Sequence, residues 1–251
     1  MKGALSPLHP LAAATAFLTR IPVARLTDID GRAVARAAAL YPLVGAGVGA
    51  AGGAVIDLLA GPLPAWSAAV VGVGVAALLT GAMHLDALAD TADALGGTTR
   101  DRRLEIMRDH AIGSFGTLAV VLVLLLEISL LADLGERDLA LVSFAAAGAC
   151  SRWAALPLAV ALPYARDGRQ GHSFAAEISA ASMLVGLAVA AGVSGLWLGI
   201  GATALLGAAA AVALALGLFY RRWLGGVTGD TLGAATALAQ AACLAAAYAV
   251  A

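Results

Sequence analysis

Long apolar runs separated by short polar ones dominate the pattern along the chain. Predominantly apolar stretches fall near residues 37–60, 65–85, 111–132, 139–162, 180–198, 200–219 and 231–251. A spanning helix needs about 20 such residues. The pattern therefore predicts an all-α, polytopic transmembrane helix bundle of about seven spans. The weakest break lies between the fifth and sixth runs, where Gly195, Gly199 and Gly201 stand without a charge. Pro42 and the glycines after it are able to tilt or split the first run, so six or eight spans also fit the pattern. No linker, long repeat or low-complexity tail interrupts the series, which predicts a single integral-membrane domain over residues 1–251.

Composition sharpens this picture. Of 251 residues 61% are hydrophobic and only 12% charged, with a mean hydropathy of +0.92. A soluble domain carries about a quarter charged residues, so this chain has too little polar surface to cover itself in water. The net charge of −1 gives no reason to expect a nucleic-acid partner.

The distribution of charge sets an orientation. With the N-terminus cytoplasmic, the inside segments are 1–36, 86–110, 163–179 and 220–230. They hold thirteen of the fifteen basic residues, from Lys2 and Arg20 to Arg221 and Arg222. Arg137 alone falls outside, and Arg152 lies within a span. The positive-inside rule predicts such an alternation.

Segment 8–24, with Phe17, Leu18, Ile21 and Val23 around Arg20 and Pro22, is too broken to span; it predicts a helix lying in the interface or packed under the bundle. The same breaks argue against a cleavable signal peptide. Cys150 and Cys243 lie in apolar stretches, with neither disulfide nor metal spacing. Gly47-Val48-Gly49-Ala50-Ala51-Gly52 spells the dinucleotide fingerprint, but within a predicted span and with no strand before it. Gly45, Gly49 and Gly53 instead predict a close helix-packing face.

The chemistry-bearing stretch runs from His84 to Gly97. Asp86, Asp90 and Asp93 fall within about 60° of one another on a helix, on a segment expected to continue the second span until Gly96-Gly97 ends it. Three carboxylates on one face repel, and a hard divalent cation relieves that repulsion. The alternative is a solvated acidic helix end neutralised by Arg100, Arg102 and Arg103. His84 points away from the acids and reads as structural.

Other segments add candidates. Arg108-Asp109-His110-Ala111-Ile112-Gly113-Ser114-Phe115-Gly116 leads into the third span, where the helix start offers N–H donors to phosphate or is capped by Asp109. Gly225-Gly226-Val227-Thr228-Gly229-Asp230-Thr231 precedes the last span. It reads either as a phosphate cradle with Asp230 as a fourth carboxylate or as a tight turn with Asp230 as N-cap. Arg152 is an intramembrane cation, a functional candidate by default, expected to face the bundle interior. Glu127 reads as a structural hydrogen-bonding group. Arg166 is either a phosphate contact or a positive-inside anchor.

Taken in order, these pieces resemble the cobalamin synthase (adenosylcobinamide-GDP ribazoletransferase) family. The matching segments are Phe17 to Val23, Tyr41-Pro42-Leu43-Val44-Gly45, His84 to Gly97, Met107-Arg108-Asp109 with Ile112 to Gly116, Ser151-Arg152, Leu162 to Arg166 and Gly226 to Gly233. His110 departs from the small polar residue expected there, which removes it from the catalytic candidates.

The resemblance implies a magnesium-dependent transferase of a phosphorus-containing group, in a bacterial cytoplasmic (inner) membrane with its active site facing the cytoplasm. It would join α-ribazole, or its 5′-phosphate, to adenosylcobinamide-GDP and release GMP. On that reading Asp86, Asp90, Asp93 and Asp230 would hold Mg2+, while Arg152, with the first three, would carry the chemistry. Arg108, Asp109, Gly113, Arg166, Gly226, Gly229 and Asp230 would contact substrate. A homo-oligomer is compatible with such a bundle.

Two other readings exist. A phosphotransferase of the CDP-alcohol type also clusters aspartates at a helix end, but its Asp-Gly and Ala-Arg pairs are absent in that register. A transporter would place polar groups near mid-membrane in several spans, whereas here they gather at one face.

Overall fold

The computed structural model describes residues 9–23, 30–109, 111–166 and 177–251. In chain order the helices are α1 (His9–Leu18), α2 (Gly31–Arg36), α3 (Tyr41–Leu59), α4 (Ala65–Thr80), α5 (Met83–Asp93), α6 (Arg100–Ile106), α7 (Ser114–Gly135), α8 (Ala140–Ala161), α9 (Ala180–Leu198), α10 (Ala202–Trp223) and α11 (Gly229–Val250). Among the described residues the only β-type pairing is an isolated parallel bridge between Tyr164 and Val227.

By length and composition, five continuous helical runs among the described residues are able to cross a membrane, or six if the bent pair α4–α5 counts as one span. One of the five, Ala180–Trp223, is 44 residues long, about 66 Å if straight, twice the hydrocarbon thickness. It is not straight. Trp153 Nε1 of α8 donates to Met183 O near the start of α9 at 3.2 Å, and Leu156 abuts Gly186. Leu158, two residues on from Leu156, abuts Gly217 near the end of α10. The start of α9 and the end of α10 thus meet the same stretch of α8, so the run doubles back at Gly199–Gly201. Gly199 supplies the positive φ of 53° at that reversal.

Helix α8 is the axis of the bundle. Its residues from Ser143 to Ala154 are all buried, a tract made close-packed by Ala, Gly and Ser. Against it lies α3 at backbone contact distance. A Cβ on Gly45 would overlap Gly148 O, one on Gly49 the Phe144 carbonyl, and one on Gly53 the backbone of Leu141. This is the packing face expected from the four-residue glycine spacing. Pro42 sits in the first turn of α3, where its missing N–H has no partner to lose. The helix is therefore not split there; α2 and a 3₁₀ turn at Ala37–Leu40 lead straight into it.

One expectation needs correction. The aspartate segment does not continue the second span. α4 stops at Gly81, with φ 63°, and Ala82 is also left-handed at φ 56°. The chain then leaves as α5 at 88° to α4. Arg20 locks this corner: its backbone N–H donates to Leu79 O at 2.7 Å, and its side chain fills the space where a Cβ on Gly81 would stand. α5 lies across α7 and α11, with Gly233 of α11 admitting Ala87 at close range. The 3₁₀ turn Ala94–Gly96 ends it, in line with the Gly96-Gly97 stop. α1 packs on the bundle through buried Ala13, Ala14 and Leu18, and Phe17 stacks on Tyr41 with centroids 5.5 Å apart.

Candidate active site at the polar end of the bundle

The corner after α4 brings α5, the start of α7, the end of α8 and the start of α11 to one end of the bundle. Arginines fasten this end together. Arg100 donates from Nε to Leu224 O at 3.0 Å and from Nη2 to Ala165 O at 2.6 Å. Arg103 donates to Gly97 O at 2.9 Å and Trp223 O at 2.6 Å, and its guanidinium lies 5.2 Å from the Trp223 ring centre. These guanidiniums satisfy carbonyls where α10 runs out, groups with no partner inside the helix. Arg102 pairs with Glu105 at 2.7 Å. So the three arginines expected to neutralise the aspartates are occupied with other groups.

The aspartates divide by partner. Asp93 accepts from Gly113 N on Oδ2 at 2.7 Å and from Gly116 N on Oδ1 at 2.8 Å. It caps α7 from outside that helix, and a Cβ on either glycine would overlap the carboxylate. The N–H donors expected to await a phosphate at Gly113 and Gly116 are thus given to Asp93. Asp109 does not cap α7 either; Gly113 is the N-cap residue, and Asp109 accepts from Ala111 N at 3.1 Å in a local turn. Arg108 and Asp109 are both exposed, and His110 lies outside the described residues.

Asp230 reaches the same region from α11. Of its two expected roles, that of N-cap falls to Thr228, which forms a capping box with Thr231. That frees the Asp230 carboxylate to meet Arg166 Nη2 at 2.5 Å. Arg166 is held in place by the bridge beside it: Val227 N donates to Pro163 O at 2.9 Å and Ala165 N to Val227 O at 2.8 Å. Gly226 is required by this approach, since a Cβ there would overlap Pro163 O. Gly229 is exposed, with open space around it. Arg166 Nη2 also reaches Met107 O at 3.5 Å, and its buried Nε has no hydrogen-bond partner among the described residues.

Asp86 and Asp230 line one cavity of about 290 Å³, together with His84 and Arg152. Asp90 lies within electrostatic reach of Asp86, Asp93, Asp230 and Arg166. Among the described residues no three His, Cys, Asp or Glu side chains converge into a metal cage. Magnesium does not need one, because it binds through one or two carboxylates plus substrate phosphates and water. The oxygen donors of Asp86, Asp90 and Asp230 suit that mode.

Arg152 is buried inside the bundle, as its position in a span predicts. Its Nη1 donates to Ser151 Oγ at 3.0 Å and, in a short contact, to Gln240 Oε1. Gln240 Nε2 in turn donates to both Glu127 oxygens, at 3.2 and 3.3 Å. The amide bridges cation to carboxylate with each end correctly polarised. Gln240 escaped the sequence reading; its one signal is a lone amide in the otherwise apolar last run. His84, taken as structural, lines the cavities on both sides of Arg152.

Comparison with known proteins gives the family. The sequence model of the cobalamin-5-phosphate synthase family matches residues 10–248. An adenosylcobinamide-GDP ribazoletransferase from Klebsiella pneumoniae subsp. pneumoniae is 41% identical over 240 residues, covering 91% of this chain and 94% of that protein. Proteins of the same name from Shigella flexneri and Escherichia coli K12 are 40% and 39% identical, each covering 89% of this chain and 93% of the relative. No solved structure matches the chain. The family match runs through the aspartate helix, the capped start of α7 and the Arg166–Asp230 pair alike, and the chain belongs to the cobalamin-5-phosphate synthase family.

Proposed function

We propose that the protein is an adenosylcobinamide-GDP ribazoletransferase, joining α-ribazole or its 5′-phosphate to adenosylcobinamide-GDP with release of GMP. The observation that carries this reading is the family match over residues 10–248, joined to one polar end where Asp230 of α11 pairs with Arg166 within electrostatic reach of Asp90 on α5.

The reaction forms an O–P bond between a ribose hydroxyl and the corrinoid-side phosphorus. The P–O bond to GMP breaks, and the hydroxyl proton passes to a base. Catalysis of such transfers is mainly positioning and charge stabilisation. One or two of Asp86, Asp90 and Asp230 would hold Mg2+ against the pyrophosphate. When bound, the ion would offset charge on the phosphate oxygens. Asp93 fixes the end of α5 to the start of α7 and so sets the position of Asp86 and Asp90 on the same helix. Arg166 offsets charge on the departing GMP while steadying Asp230. One of the α5 carboxylates accepts the hydroxyl proton. Arg152, on the cavity wall, orients the nucleoside side of the site. Arg108, exposed beside the start of α7, meets the outer phosphate.

This reading includes seven crossings with the N-terminus and the active site cytoplasmic. Supporting it, the described basic residues of α6, Arg166 and the end of α10 lie at one end of the bundle with the aspartates.

The experiment is turnover in purified membranes with adenosylcobinamide-GDP, α-ribazole 5′-phosphate and magnesium. GMP release from wild type, abolished by EDTA and in Asp90→Ala, is expected. An inserted, folded wild type that releases no GMP would overturn the assignment.

A further inference from the structure

The cavity shared by Asp86 and Asp230 mixes a few polar groups with a larger apolar lining. Most of its wall is apolar, built from Leu18 of α1, Tyr41 of α3, Met83 of α5, Leu156 and Ala159 of α8 and the buried Ile178. Phe17 also faces it, stacked on Tyr41 with an interplanar angle of 24°. At about 290 Å³ it is near the lower bound of small-molecule pockets, roughly 300 Å³. That excludes a corrin macrocycle and suits a flat bicyclic ring carrying a sugar.

We propose that this cavity is the subsite for the aromatic base of the nucleoside substrate, with Phe17 and Tyr41 as its stacking wall and α8 setting which base fits. The proposal rests on the ribazoletransferase reading and adds the location and basis of its base selection. Two flat bases take part in that reaction, the dimethylbenzimidazole of α-ribazole and the guanine of the GDP moiety. Guanine carries donors and acceptors around its whole rim, and the part lying against Met83, Leu156 and Ile178 would be buried unpaired, which is unfavourable. Dimethylbenzimidazole presents methyl groups there, which gain from the same burial. Geometry agrees. A base in the cavity leaves its ribose beside Asp86 and Asp230, where the attacking hydroxyl has to meet the pyrophosphate.

The test is steady-state kinetics of the full-length protein in membranes, varying each substrate in turn. Phe17→Ala should raise KM for α-ribazole about tenfold, the scale of a lost aromatic stacking contact with its buried area, and leave KM for adenosylcobinamide-GDP within about twofold. Ala155→Leu, which fills the cavity from α8, should reverse the preference between α-ribazole and the ribosyl-benzimidazole lacking both methyls. Should Ala155→Leu fail to insert, Phe17→Ala with the same two nucleosides decides alone: its preference for the methylated base should fall. A rise in KM for adenosylcobinamide-GDP instead would place the guanine or corrinoid in the cavity and overturn the proposal. Unchanged KM for both substrates would overturn it as well. Absence of GMP release from wild type is a separate failure, that of the ribazoletransferase reading itself.

Discussion

Gly116 donates its backbone N–H to Asp93 Oδ1 at 2.8 Å, across a sequence gap of 23 residues. With the companion bond from Gly113, it makes the aspartate helix and the glycine segment at the start of α7 one structural unit. A carboxylate at a helix N-terminus satisfies orphan donors and meets the positive end of the dipole. Asp93→Ala is expected to destabilise the protein by about 1–2 kcal/mol, and Gly116→Ala to do at least as much by pressing a methyl into the carboxylate. Thermal unfolding in detergent reads both.

Asp86 and Asp90 behave in the opposite way. Each lies near other carboxylates of the site, and neither forms a salt bridge among the described residues. Removing one negative charge relieves repulsion. Asp90→Asn and Asp86→Asn should unfold no earlier than wild type, yet lose about 100-fold or more in GMP release. A fall in unfolding temperature of the size seen for Asp93→Ala would show that they too are structural.

The Arg166–Asp230 pair sets a competition. Both side chains are about one-fifth exposed, and on the proposed magnesium reading the guanidinium occupies an oxygen that the cation would take. Arg166→Gln should lower the magnesium concentration for half-maximal rate by about fivefold, equivalent to roughly 1 kcal/mol. Turnover at saturating magnesium should fall by about 10- to 100-fold, because charge on the leaving phosphate is no longer offset. A magnesium titration of the variant separates the two effects; an unchanged half-saturation point removes Asp230 from the metal site.

Gln240 is the central group between Arg152 and Glu127. Gln240→Leu leaves a cation and a carboxylate buried without their bridge and should cost about 2–3 kcal/mol. Glu127→Gln keeps an acceptor for Gln240 Nε2 and should cost less than about 1 kcal/mol. Equal losses in the two variants would mean that the amide is not the bridging group.

Glycines within α3 should respond according to which face they occupy. Gly45→Ala drives a methyl into Gly148 O and is expected to cost about 1–3 kcal/mol. Gly47 has open space around it, so Gly47→Ala should stabilise by about 0.5–1 kcal/mol in water-like propensity terms. Unfolding of the two variants side by side checks the register of the α3–α8 contact.

Much of this was legible because it depends on residue type and local spacing. Apolar run length identified the long helices to within a few residues, and the break at Gly199–Gly201 was visible although no charge marks it. The four-residue spacing of Gly45, Gly49 and Gly53 identified the α3 packing face, since small residues matter only where a backbone must approach. The turn at Gly81–Ala82 was not legible. Its cause is a left-handed pair fixed by Arg20, some sixty residues away, and nothing local distinguishes it from a continuing helix. For Asp230 the sequence left two roles open, fourth carboxylate or helix cap; Thr228, two residues before it, takes the cap and leaves the carboxylate free.

By itself, the sequence determined the all-helical membrane character of this protein, its family, and the set of carboxylates and arginines proposed to meet a pyrophosphate. Those follow from hydropathy and from side-chain chemistry, which are properties of each residue alone. Only the tertiary structure decided how that set divides: Asp93 to the start of α7, Asp230 to Arg166, Arg100 and Arg103 to helix-end carbonyls, Arg152 to Gln240. A charged group in a crowded, poorly hydrated site takes the partner that distance allows. Those distances are fixed by how α5 crosses α11 and how closely α3 approaches α8.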